Sequence, residues 1–163
     1  MWYLYIISVG MGVSYLLLYF LFPLLFTNKL ISLKLKSLYS IIYVVVFSLT
    51  VNFISNSIAD QWFGDRILHI FGGGVTAFLV CFLVVRDSKL KINKFQFLVI
   101  SLLTVTSLGV VNELIEFFLQ MLTHIIFAPT ITDTWLDLLS NTIGAIIGAA
   151  CFAPFINNRP KIK

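Results

Sequence analysis

Long uninterrupted apolar stretches constrain the fold of this chain more than any other feature of its sequence. A helix of about 20 apolar residues, which rises 1.5 Å per residue, crosses the ~30 Å hydrocarbon core of a bilayer. Backbone polar groups in lipid must find partners within the protein, so only helices and closed barrels span membranes. The stretches are too long and too continuous for barrel strands. We therefore predict an all-α, polytopic transmembrane helical bundle.

The apolar stretches divide the chain into five predicted spans. They cover residues 2–26, 38–58, 65–85, 95–121 and 134–156. Hydrophobic residues make up 60% of the chain and charged residues only 11%, a composition that excludes a soluble globular domain. The remaining residues form short loops, so residues 1–163 are predicted to fold as a single transmembrane domain.

The basic residues predict the orientation of the spans. Ten of the eleven follow the first span, follow the third span or lie in the C-terminal tail: Lys29, Lys34, Lys36, Arg86, Lys89, Lys91, Lys94, Arg159, Lys161 and Lys163. Loops rich in Lys and Arg stay in the cytoplasm. This rule places the N-terminus outside and the C-terminus in the cytoplasm of a multi-pass membrane protein. Because the charges are spread over three short segments, they do not indicate a nucleic-acid partner.

The acidic residues collect on the predicted outer side of the membrane. Six of the seven belong there: Asp60, Asp65, Glu113, Glu116, Asp133 and Asp137. The seventh, Asp87, is assigned to a basic cytoplasmic loop. An ionisable group inside a span costs about 2.5–3.5 kcal/mol on insertion scales, so such groups usually face the bundle interior or a wet cavity. Three spans carry them at matching depth, which favours one shared site.

Helical spacing connects the acidic residues with neighbouring polar side chains. Asp65 and His69 are four residues apart, as are Asp137 and Asn141, so each pair shares one helix face. We expect one outward-facing pocket, formed by His69, Glu113, Glu116, Asp137 and Asn141. Further binding residues are expected beside it or at its mouth: Asp65, Arg66, Asn112 and Asp133.

Several of these residues also have a purely structural interpretation. Asp65 fits the end of a helix, where the N-terminal dipole favours a negative charge. Asp133 fits the N-cap of the fifth span. A single histidine such as His69 is more often a hydrogen-bonded interior residue than a metal ligand. Glu113 and Glu116 fit such interpretations less well, because they interrupt an apolar run.

Five glycines are predicted to serve helix packing: Gly72, Gly73, Gly74, Gly144 and Gly148. The last two form a G-x-x-x-G pattern, whose small residues let helix backbones approach closely in a membrane. The run of three glycines permits close approach or a local kink. A nest of backbone N–H groups around a phosphate is the alternative interpretation of this run.

Three patterns between residues 65 and 148, a stretch of about half the chain, resemble VanZ-like membrane proteins. Residues 133–148 contain D-x-x-x-N-x-x-G-x-x-x-G, which is similar to the last helix of that family. The D-x-x-x-H-x-x-x-G-G of residues 65–74 and the N-E-L-I-E of residues 112–116 resemble preceding parts. The same features resemble a related group of uncharacterised bacterial inner-membrane proteins. The resemblance implies a multi-pass integral membrane protein of four or five helices in the bacterial cytoplasmic (inner) membrane. From one member it implies a link to teicoplanin resistance, and it supplies no catalytic residues.

The sequence leaves three kinds of function open. The first is a non-catalytic envelope protein whose pocket binds a membrane lipid, a lipid-linked wall precursor or a glycopeptide. The second is a membrane-embedded enzyme that acts on a lipid headgroup or lipid-linked precursor. A divalent cation would suit that enzyme, with His69, Glu113, Glu116 and Asp137 as candidate ligands. The third is a small transporter, which intramembrane carboxylates suggest, although no polar trail leads to the cytoplasmic side.

Overall fold

A computed structural model describes residues 2–125 and 130–156, which contain helices and no strand. The elements are, in chain order, α1 (Trp2–Thr27), α2 (Leu35–Ser57), α3 (Gln61–Ile67), a π-helical segment (Leu68–Val75), α4 (Thr76–Ser88), α5 (Lys94–Thr123), α6 (Ile131–Phe152) and a 3-10 turn (Ala153–Phe155). Helix α3, the π-helical segment and α4 follow one another without a break, so together they form the third span.

Five helices in the described residues are long and apolar enough to cross a membrane, which confirms the predicted fold class. Large apolar side chains on all sides of the bundle are exposed, such as Leu17 of α1, Phe53 of α2 and Ile146 of α6. An exposed apolar surface of this extent belongs in contact with another apolar phase, which for spans of this length is lipid. The orientation of the termini stays a prediction.

Three spans begin three or four residues earlier than predicted: α2 begins at Leu35 rather than 38, and polar side chains upstream cap the other two. Asp60 accepts a hydrogen bond from the backbone N–H of Phe63, so the third span begins at Gln61 rather than 65. Thr130 accepts from the backbone N–H of Asp133, so α6 begins at Ile131 rather than 134. The interpretation of Asp133 as an N-cap is therefore wrong. Its carboxylate lies inside the first turn of α6 and is available for contacts with other helices.

The third span lies at the centre of the bundle. Residues 74–81 are all buried, and helices α1, α2, α5 and α6 all contact this span. Phe78 packs edge-to-face on Phe97 of α5, with ring centroids 5.4 Å apart, and it stacks on Phe152 of α6. The other four spans therefore enclose the segment that carries His69 and the three consecutive glycines.

Helix α6 crosses the third span where both helices lack side chains. A Cβ on Gly144 would overlap the carbonyl oxygen of Ile70, and a Cβ on Gly74 would lie 2.7 Å from the Cα of Gly144. One turn further along α6, a Cβ on Gly148 would lie 2.6 Å from the Cβ of Phe78. Backbone contact of this kind requires glycine, since no other residue fits. The crossing fixes how the polar side chains of α6 meet those of the third span.

Asp87 lies at the opposite end of the bundle from the other acidic residues. The sequence assigned it to a loop, but it occupies the last turn of α4 and is buried. Its Oδ2 accepts hydrogen bonds from the hydroxyls of Tyr15 on α1 (2.8 Å) and Ser40 on α2 (2.5 Å), and its Oδ1 accepts from Arg86 Nε (3.0 Å). Asp87 thus ties three helices together, because a buried carboxylate needs such donors.

Cysteine labelling tests the predicted orientation. Thr130 and Lys91 are both exposed and lie at opposite ends of the bundle. In a chain whose Cys81 and Cys151 are replaced by alanine, we expect a membrane-impermeant maleimide to label Thr130→Cys in intact cells. Lys91→Cys should be labelled only after the membrane is permeabilised. The reverse pattern would contradict the outside placement of the N-terminus.

Candidate functional site

Arg66 joins the third span to α6 through three aspartates. It lies in the last turn of α3 and is only 7% exposed. Its Nη2 pairs with Asp65 Oδ2 at 2.6 Å and with Asp133 Oδ1 at 2.7 Å. Its Nη1 lies 2.7 Å from Asp137 Oδ1. One guanidinium thus forms ion pairs with three carboxylates from two helices. The several N–H donors of its planar fork suit this arrangement.

His69 lies in the π-helical segment, next to two of these aspartates. Its Nε2 is 3.3 Å from Asp137 Oδ1 and 3.7 Å from Asp65 Oδ1. The hydroxyl of Thr76 donates to the carbonyl of Phe71, five residues earlier, at the end of the π-helical segment. Short π-helical turns inside α-helices occur frequently at functional sites. Here the wider turn carries a buried histidine that faces carboxylates of two helices.

Two glutamates of α5 approach the same histidine. Glu116 is buried, and its Oε1 accepts a hydrogen bond from Asn112 Nδ2 at 2.8 Å. Glu113 Oε1 is also buried, and it has no hydrogen-bond donor among the described residues. One donor atom each from His69, Glu113 and Glu116 lie within 4.8 Å of one another. The same holds for His69, Asp65 and Asp137, so two sets of potential metal ligands share His69.

Asn141 lies one turn after Asp137 on α6, between two glycines of other helices. A Cβ on Gly73 would overlap Asn141 Oδ1, and a Cβ on Gly109 of α5 would lie 3.2 Å from its Nδ2. The side chain is 5% exposed, and its Oδ1 has no donor among the described residues. A buried acceptor without a partner costs about 1–3 kcal/mol. The glycines therefore admit an amide whose oxygen has no partner in the part of the chain that the structure describes.

These side chains surround a cavity of ≈ 290 Å³ to which all five spans contribute. Its polar lining consists of Asn56, Asp65, His69, Asn112, Glu116, Asp137 and Asn141. Ile7 and Met11 of α1, together with Val105 and Leu108 of α5, supply apolar lining. A second cavity of ≈ 310 Å³ lies under the α2–α3 turn and shares Asn56, Asp65 and Leu68 with the first. Polar walls therefore continue from the first cavity to the end of the bundle.

The comparison with protein families identifies the group to which this architecture belongs. A family described as predicted membrane protein (DUF2238) matches residues 4–158, which is almost the whole chain. The chain belongs to this family. Comparison with curated proteins and with solved structures gave no match. The DUF2238 match confirms the prediction of an uncharacterised membrane protein family. It does not support the finer, VanZ-like assignment.

The DUF2238 chain brings most of the predicted polar residues to one place. Six of them line the first cavity: Asp65, His69, Asn112, Glu116, Asp137 and Asn141. Glu113 joins them through its donor set with His69 and Glu116. Arg66 and Asp133, which were expected at the mouth, form an ion pair with each other, and the arginine is buried. Asp60 stays apart as an exposed helix cap.

Sequence reasoning missed several residues of the DUF2238 cavity. It assigned no site residue to the first two spans, yet Ile7, Met11 and Asn56 line the cavity. Gly109 was not singled out either, although Asn141 packs against it. Asn56 follows Asn52 by four residues at the end of an apolar span, and this spacing is the signal that could have revealed it.

Proposed function

We propose that this DUF2238 protein binds the polar group of a membrane amphiphile in the 290 Å³ cavity, while the acyl part of the ligand stays in the surrounding bilayer. The observation that supports this function is the two-sided lining of the cavity. Carboxylates, asparagines and His69 form one part of the wall, and aliphatic side chains such as Met11 and Leu108 form another. Pockets with mostly apolar walls and a few convergent polar groups are typical ligand sites.

Unused acceptors define the chemistry of the ligand. Asn141 Oδ1 in the cavity wall is buried and lacks a hydrogen-bond donor among the described residues, and so does Glu113 Oε1 beside His69. Asp137 Oδ1 differs, because the guanidinium of Arg66 lies 2.7 Å away and forms an ion pair with it. The amide oxygen can only accept hydrogen bonds, and the same holds for the glutamate oxygen when the glutamate is ionised. The ligand, or an ion that binds with it, must therefore bring hydrogen-bond donors or positive charge.

The size of the cavity limits what enters it. A volume of ≈ 290 Å³ lies at the low end of the ~300–1,000 Å³ of ligand pockets. It accommodates a lipid headgroup or a single sugar rather than an entire lipid or glycopeptide. We therefore favour a membrane lipid or a lipid-linked wall precursor over a glycopeptide. A link to teicoplanin resistance rests on the VanZ-like resemblance of residues 133–148, and it would follow from binding of a wall precursor.

A membrane-embedded enzyme is the second candidate, because two sets of potential metal ligands share His69 beside the cavity. Transport receives less support from the fold. A carrier needs ionisable groups that lead to the opposite face, and Asp87 at that end is held by Tyr15, Ser40 and Arg86. Binding is the common requirement of the first two functions, so it is the property to measure.

Two tryptophan variants of α5 test the proposed binding. Leu108 lines the cavity, whereas Leu103 is 60% exposed on the lipid-facing side of the same helix. We expect native mass spectra of the detergent-purified protein to show one retained amphiphile. Leu108→Trp fills the cavity, and a steric conflict of about 1–3 kcal/mol corresponds to roughly a five- to 150-fold loss of affinity. Leu103→Trp, the matched control, should retain the ligand.

The result depends on the contrast between the two variants. Equal loss of the ligand from both would show that the amphiphile was bound on the outer surface. A wild-type protein that carries no amphiphile under mild detergent conditions would contradict the proposed function. Thermal unfolding of both variants shows whether either substitution merely destabilises the bundle.

A further inference from the structure

We propose that His69, Glu113 and Glu116 hold a divalent cation at the edge of the 290 Å³ cavity. One donor atom from each residue lies within 4.8 Å of the other two. Three points 4.8 Å apart are each about 2.8 Å from their common centre. Movements of less than 1 Å therefore bring all three to the ~2.0–2.2 Å of zinc–nitrogen and zinc–oxygen bonds. One imidazole and two carboxylates are ligands that suit Zn²⁺ or Mn²⁺.

Arg66 explains why the ion belongs with the glutamates rather than with the aspartates. The second donor set contains Asp65 and Asp137, and both already form ion pairs with the Arg66 guanidinium. A divalent cation bound to the same oxygens would lie close to that guanidinium, and the two positive charges would repel each other. The glutamate set draws its carboxylates from α5, whereas the three aspartates that pair with Arg66 come from α3 and α6.

Buried acceptors at this place provide an independent reason for a positively charged ligand. Asn141 is 5% exposed and lines the same cavity as His69 and Glu116, and its Oδ1 lacks a donor among the described residues. Glu113 Oε1 lacks one as well. A cation satisfies the glutamate oxygen directly, and a water molecule on that cation donates a hydrogen bond to the amide.

The surroundings of the three ligands match those of known metal sites. Asp137 Oδ1 lies 3.3 Å from His69 Nε2 without a hydrogen bond between them, so it places a carboxylate next to this ligand. Asn112 Nδ2 donates a hydrogen bond to Glu116 Oε1 and thereby orients this carboxylate. Three protein ligands leave at least one coordination position open. An oxygen of the lipid headgroup takes this position, a step that rests on the proposed function. The ion site itself does not depend on the proposed function.

Metal binding by the lipid-free full chain tests this site directly. The protein is purified with a tag that contains no histidine, stripped with a chelator and titrated with ZnCl₂ or MnCl₂ in detergent by calorimetry. The wild type is expected to bind one ion, and mass-spectrometric metal analysis should give the same ratio. Glu113→Gln keeps the shape of the side chain but removes the anionic ligand, so it should weaken binding at least about tenfold. Asp60→Asn changes an exposed helix cap that belongs to neither donor set, so this variant should bind as the wild type does.

Three results would overturn the proposal. The first is a wild-type chain that binds neither ion at one-to-one ratio. The second is unchanged affinity in Glu113→Gln when Asp60→Asn also binds normally. The third is loss of the ion from Asp65→Asn but not from Glu113→Gln, which would move the ion to the aspartates. The native mass spectra of the retained amphiphile test the proposed function separately. If the metal-free protein retains the lipid, the ion has no role in ligand binding, but the proposed function stands.

Discussion

Arg66→Met is expected to lower the free energy of unfolding by about 3–5 kcal/mol, because it leaves a buried charge without its partner. The Arg66 side chain is 8% exposed and that of Asp137 only 3%, and their charged atoms lie 2.7 Å apart. Asp65 and Asp133 lose the same cation. Methionine fills a similar volume, so the loss reports on the charge rather than on a cavity. Thermal and denaturant unfolding in detergent measure it.

Two further variants separate the charge of Arg66 from its position. Lys91→Met removes an exposed positive charge from a loop and should change stability by less than about 0.5 kcal/mol. Adding Asp137→Asn to Arg66→Met removes the unpaired carboxylate, so the double variant should be more stable than Arg66→Met alone. If the double variant is the less stable of the two, the ion pair between α6 and the third span does not hold the bundle together in the way described.

Gly144→Ala is expected to be the second most damaging change, because the new Cβ would overlap the carbonyl oxygen of Ile70. The α6 backbone must then move away from the third span, at a cost of about 1–3 kcal/mol. Gly10→Ala is the matched control, since a Cβ there has no neighbour within 4 Å and alanine favours a helix by about 1 kcal/mol over glycine. Unfolding midpoints should therefore fall for Gly144→Ala and stay level or rise for Gly10→Ala. Equal midpoints would mean that this crossing is not close.

The five spans could be predicted from the sequence because the thickness of a bilayer sets the length of an apolar helix. Their first residues could not be predicted as well, since caps decide them. Asp60 and Thr130 lie upstream of the apolar runs and start the third and fifth spans three or four residues early. The three glycines at residues 72–74 indicated close approach or a local kink, but they did not show that residues 68–75 form a π-helical segment packed against α6.

Much of the polar cluster could be predicted because ionisable groups inside spans are costly and therefore meet. The spacing of Asp65 with His69, and of Asp137 with Asn141, pointed to the faces that converge on the cavity. The sequence predicted Arg66 beside the pocket, together with Asp65 and Asp133, but it did not predict their pairing. Only the fold shows that one guanidinium pairs with three aspartates.

The apolar side of the cavity was out of reach of sequence reasoning for a different reason. Ile7, Met11 and Val105 are ordinary members of apolar spans, and nothing in their spacing distinguishes a residue that lines a cavity from one that faces lipid. Which of them meet is decided by the order of the helices around the third span. Because 60% of the residues are hydrophobic, the sequence alone does not distinguish cavity-lining positions from lipid-facing ones.

The most direct test of the account is the density inside the cavity of the protein reconstituted in native membrane lipid and imaged by electron cryo-microscopy with a rigid binding partner. We predict elongated density that enters from the bilayer and ends within hydrogen-bond distance of Asn141 Oδ1, with its polar end beside His69 and Glu116. A cavity that contains only separate water molecules, with Glu113 and Asp137 turned to opposite sides of the bundle, would contradict both the shared site and the proposed binding of an amphiphile.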